Sequence, residues 1–123
     1  MTNRINNFVD LIAWKEGHSL VLEIYSITES FPTRENFVLT SQMLRSAISI
    51  TSNVAEGFSR KGKKEKIQFY CTALGSLTEL QSQLYIAKDL QYITNERFTK
   101  VSESSILVHK LINGLVKSAN DRF

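Results

Sequence analysis

The 123-residue chain has one proline, one cysteine and five glycines, and each scarcity excludes something. Proline is the residue that breaks helices most strongly, so a single Pro32 leaves long helices open to nearly the whole sequence. A lone Cys71 cannot form an intramolecular disulfide, which fits a reducing cytoplasm. Its place in an apolar segment predicts a small core-facing side chain. No stretch approaches the ~18 uninterrupted apolar residues of a membrane span, and no apolar signal core follows Arg4. A cytoplasmic protein without a membrane partner is expected.

Ligand-forming side chains are equally sparse. The residues three before His18 and His109 are Lys15 and Ile106, so the Glu-x-x-His pairs of bundle di-iron sites are missing. Two histidines and one cysteine make no zinc set. Neither a phosphate-cradling Gly-x-x-x-x-Gly-Lys loop nor a strand to carry a nucleophile elbow is found. The expectation is a protein without metal or cofactor, without catalytic residues, and not an enzyme.

What the chain has is helical periodicity, in a length suited to one domain with its own core. Asn7, with Asp10 three residues on, reads as the start of a first helix. Leu11, Trp14, Val21, Ile24, Tyr25 and Thr28 recur along it at helical spacing, until Phe31-Pro32 ends it. Met43, Ala47, Ile50 and Val54 mark a second helix, and Tyr70, Leu74, Leu77, Leu84 and Ala87 a third. Thr94 or Asn95 caps a fourth, where Phe98, Val101, Ser105, Val108, Ile112, Leu115 and Ala119 form a bundle seam. The predicted spans are about 8–30, 40–59, 63–90 and 95–120, with Gly62 as the break between the second and third. Nothing alternates with period two. Short connections between such helices predict an all-α, antiparallel up-down-up-down four-helix bundle over residues 1–123.

Polar residues interrupt this pattern in two places. Arg45, Ser49, Asn53 and Glu56 form one stripe on the second helix; Thr72, Ser76, Glu79 and Gln83 form another on the third. Gly57 and Gly75 accompany them, although a mid-helix glycine loses roughly 1 kcal/mol against alanine. Facing stripes predict a hydrogen-bonded layer between helices or subunits, with Gly75 and Ser76 letting backbones approach. A ligand pocket around Glu56 and Glu79, or plain solvent exposure, are the other readings of the same residues.

The ordered motifs carry a resemblance. Trp14-Lys15, Phe31-Pro32 with Glu35, Leu39-Thr40-Ser41-Gln42, Arg45, Asn53-Val54-Ala55-Glu56-Gly57, Ala73-Leu74-Gly75-Ser76, Glu79 and Ala87-Lys88-Asp89-Leu90 follow one another over residues 8 to 93. In that order the chain resembles the 23S rRNA-intervening-sequence proteins, a bacterial four-helix-bundle family related to the accessory proteins of diversity-generating retroelements. The resemblance implies a ring-like homo-oligomer, a pentamer. Where the family often has two adjacent arginines this chain has Leu44-Arg45, and it has Val38 where glycine is frequent.

Charge is concentrated. Arg60, Lys61, Lys63, Lys64 and Lys66 against Glu65 give +4 in seven residues, so the rest of the chain, within a net +3, sums to −1. Such a cluster suits sequence-independent contact with a phosphate backbone. With Arg45 these are the candidate nucleic-acid-binding residues, and structured RNA the candidate partner. A solvated helix joint explains the same charges, in which case the chain is a self-assembling scaffold for another protein. Few aromatics interleave the cluster, which favours a backbone over stacked bases.

Overall fold

In the computed structural model, which describes residues 4–122, four α-helices and two short 3-10 turns supply the regular structure, and no strand occurs among the described residues. The helices are α1 (Ile12–Thr28), α2 (Leu39–Ser59), α3 (Lys63–Asp89) and α4 (Asn95–Arg122). The all-α class and the number of helices are those the periodicity predicts. α2 packs along α3 and α3 along α4, while α1 touches both α2 and α4, which makes a four-helix bundle.

The first helix begins later than its pattern suggests. Phe8–Asp10 form a 3-10 turn, and the Asn6 and Asn7 amides donate to Asp10 Oδ2 at 3.0 and 3.2 Å. Asp10 thus meets exposed amides as expected, but Asn7 precedes the turn and does not cap α1. Leu11 is extended (φ −72°, ψ 129°) and buried in the core, and α1 starts only after it. The far end of α1 is closed by Thr28, whose hydroxyl donates to Ile24 O at 2.8 Å. Thr94 holds the start of α4, its Oγ1 accepting from the Arg97 amide at 3.1 Å.

One cluster of buried side chains draws on all four helices: Leu20, Ile24 and Ile27; Met43, Ala47, Ile50 and Val54; Tyr70, Leu77, Leu80 and Leu84; Val101, Val108 and Ile112. Tyr25 and Cys71, expected to face the core, do not. Tyr25 is 49% exposed, and Cys71 is exposed. Each directly follows a fully or nearly buried residue, Ile24 and Tyr70, and one step along a helix turns about 100° away from the core. No helix among the described residues is long and apolar enough to cross a membrane.

Candidate nucleic-acid interface

The α2–α3 joint is tight. α2 ends at Ser59, Arg60 and Gly62 are extended, and α3 begins at Lys63. A helix ends with orphan carbonyls and a negative dipole end, which attract cations. Lys66 answers both needs: its Nζ donates to Gly57 O at 3.2 Å and to Phe58 O at 2.8 Å, and it sits 5.5 Å from the Phe58 ring centroid. Lys66 therefore ties the first turn of α3 to the last turn of α2.

Arg60 is engaged as well. Its Nη2 donates to Glu56 Oε2 at 3.0 Å, Nη1 stands 4.0 Å from Glu65 Oε2, and the guanidinium lies 4.9 Å from the Phe69 ring centroid. The carboxylates offset its charge, and the Phe69 ring face attracts the cation. Lys61, Lys63 and Lys64 differ. They make no hydrogen bond or ion pair among the described residues; Lys61 and Lys64 are exposed and Lys63 partly so. Five cations thus divide into two that fasten the joint and three that face outward. The sequence missed this division, although a lysine just after a short break is well placed to reach the preceding carbonyls.

Arg45 does not join them. It is exposed on α2, about 22 Å from Arg60 along the axis at ~1.5 Å per residue. The candidate set from the sequence therefore occupies two separate places.

The two polar stripes do meet. Ser49 and Ser76 hydroxyls are 2.8 Å apart, and Asn53 Nδ2 donates to Ser49 O at 2.8 Å and to Ser49 Oγ at 3.1 Å. This is a small hydrogen-bonded seam between α2 and α3. Its acidic ends are outside: Glu56 is exposed and paired with Arg60, and Glu79 is exposed with no partner among the described residues. No group of three His, Cys, Asp or Glu side chains among the described residues is placed to hold a metal.

The two signature glycines part company. A Cβ on Gly57 would stand 2.6 Å from Tyr70 Cε1 and 2.8 Å from Cδ1, so close approach requires glycine there. A Cβ on Gly75 would meet nothing within 4 Å. The expectation that Gly75 lets helices of this bundle approach is therefore corrected: Gly57 does so, against Tyr70, whereas Gly75 faces outward. Tyr70 is 3% exposed, and burial pushes its phenol pKa up from the usual value.

Comparison with known proteins agrees with this architecture. A crystal structure of a protein of unknown function from the S23 ribosomal protein family of Bacteroides thetaiotaomicron superposes with a TM-score of 0.79 at 22% identity, covering 86% of this chain and 99% of that one. At that identity the likeness is one of fold. No curated protein matches the sequence. The family description "23S rRNA-intervening sequence protein" matches residues 9–114, most of the chain and every motif of the α2–α3 seam. The chain belongs to the 23S rRNA-intervening sequence protein family.

Proposed function

We propose that this chain is a non-enzymatic, cytoplasmic, single-domain bundle that self-associates and contacts the backbone of structured RNA through Lys61, Lys63 and Lys64. One observation carries the reading: these three ammonium groups are unengaged on a joint that Arg60 and Lys66 hold in shape. Ammonium groups with no internal partner are available to neutralise phosphates and release their counterions. A fixed joint lowers the ordering cost of that contact. The engagement of Glu56 by Arg60 supports a structural role for that carboxylate rather than an acid–base one.

Up-down-up-down connectivity is part of the proposal. Its support is the pairing of Ser49 with Ser76, Gly57 with Tyr70 and Phe58 with Lys66, in which partners descend α3 as they ascend α2. Self-association is supported by apolar side chains left on the surface, including Leu22, Tyr25, Ile48, Ile86 and Ile106. The family resemblance makes a pentameric ring the expected assembly, and a ring would repeat the lysine cluster around its axis.

Titration of a structured RNA with intact protein and with the Lys61→Ser, Lys63→Ser, Lys64→Ser triple variant tests the RNA contact. The triple variant loses at least about tenfold in affinity at low salt. Equal binding by the two proteins contradicts the reading. Light scattering on the gel-filtered chain tests assembly; a monomer at micromolar concentration contradicts it.

A second reading, a scaffold for another protein, has its own observation. Phe37 is 92% exposed and the adjacent Val38 is 60% exposed, an apolar pair on the α1–α2 connection. A partner that stays bound in nuclease-treated lysate and is released by Phe37→Ser favours the scaffold.

A further inference from the structure

Beside the lysine cluster a cavity of about 570 Å³ opens between the first described residues and the adjoining ends of α2, α3 and α4. Its size falls in the ~300–1,000 Å³ range of small-ligand sites. Leu11, Phe58 and Leu115 contribute apolar walls, while Lys66, Tyr70 and Ser118 contribute polar groups. Tyr70 makes no hydrogen bond among the described residues although its side chain is almost wholly buried, and its hydroxyl is not sealed away from the cavity. A hydroxyl that reaches the cavity without a protein partner is free to bond a ligand there.

Lys63 connects the lysine cluster to the cavity. Lys63, Lys66 and Tyr70 follow at steps of three and four residues, so one face of α3 runs from the exposed cluster to the cavity wall. Gly57 makes this possible, because any larger residue there would displace the Tyr70 ring.

We propose that this cavity receives one unpaired nucleobase from an RNA whose backbone lies across Lys61, Lys63 and Lys64. The inference rests on the RNA reading above and deepens it. A nucleobase has flat apolar faces, which suit Phe58 and Leu115, and polar edges, which suit the Tyr70 and Ser118 hydroxyls. A paired helix keeps its bases stacked inside and offers the cavity nothing. A bulged base is already unstacked and costs less to insert.

The test uses the full chain and two RNA hairpins, one fully paired and one identical but for a single bulged fluorescent adenine analogue. The bulged hairpin binds about tenfold tighter, and the analogue's emission changes as it stacks. Ser118→Trp fills the mouth and lowers affinity for the bulged hairpin to that for the paired one. Tyr70→Phe, which removes only the hydroxyl, lowers it about fivefold. Circular dichroism confirms that each variant is folded. Equal affinity for the two hairpins overturns the base pocket and leaves the RNA contact standing. A bulge preference that survives both substitutions also overturns the pocket. Binding of neither hairpin at low salt overturns both readings.

Discussion

The α2–α3 joint and the paired α1–α2 and α3–α4 connections solve the same problem, turning the chain between helices, with opposite use of their polar groups. In the paired connections the cations are engaged. Arg34 Nη2 donates to the Tyr92 hydroxyl at 3.0 Å, and Tyr92 donates to Glu35 Oε2 at 2.8 Å. Glu35 Oε1 in turn accepts from the Leu39 amide at 3.3 Å, and Phe31 packs on the Tyr92 ring. Nearby, Arg97 donates to Ser26, and Lys88 lies 4.8 Å from the Phe98 ring centroid. At the α2–α3 joint only Arg60 and Lys66 are used, and three lysines remain outward. Few cations suffice to fasten a turn between helices. The surplus at one joint is what the proposed RNA contact uses.

Substitutions can sharpen that contrast. The largest effect is expected at the tight joint: Gly57→Val drives a side chain into the Tyr70 ring and destabilises by about 2–3 kcal/mol, read by thermal or denaturant unfolding. A stability loss within 0.5 kcal/mol shows that the ring yields. Next comes Tyr92→Phe in the paired connections. It removes both bonds to Arg34 and Glu35 and costs about 1 kcal/mol, while leaving RNA affinity unchanged.

pH separates the joints further. Burial raises the folded pKa of Tyr70 above that of the unfolded chain, so its contribution is intact below about pH 10 and declines as pH rises past that value. Tyr70→Phe removes that part of the alkaline decline, whereas an unchanged profile contradicts it. The smallest effect is expected at Gly75, where alanine gains about 0.5–1 kcal/mol of helix stability in the isolated chain. Stabilisation joined to loss of assembly places Gly75 against another subunit.

Much of this bundle was legible in the sequence because helical spacing is a local signal. Gly62 marked the start of α3, and the Ser49 and Asn53 stripe met Ser76 where periodicity put it. What could not be read depended on three-dimensional neighbours. A mid-helix glycine looks the same in sequence whether a ring or solvent faces it, so Gly57 and Gly75 could not be told apart. Cys71 was misplaced because apolar neighbours in sequence are not neighbours on a helix face. Gln91 closes α3 with φ 64°, its amide bonded to Lys88 O and that of Tyr92 to Ala87 O, a helix ending for which glycine is the usual sign. The Lys66 bonds to Gly57 and Phe58 and the Phe69 contact of Arg60 arise across a helix break, and the cavity gathers residues as distant as Leu11, Phe58 and Leu115. Neither leaves a periodic trace.

If Lys61, Lys63 and Lys64 contact RNA as proposed, the salt dependence of binding reports it. Each neutralised phosphate contributes nearly one unit to the slope of log affinity against log salt concentration. Replacing the three lysines by serine is predicted to flatten that slope by about 2–3 units, whereas replacing Arg34 and Arg97 at the other connections leaves it unchanged. A slope that the lysine variant preserves, or that the Arg34 and Arg97 variant reduces as much, contradicts the account.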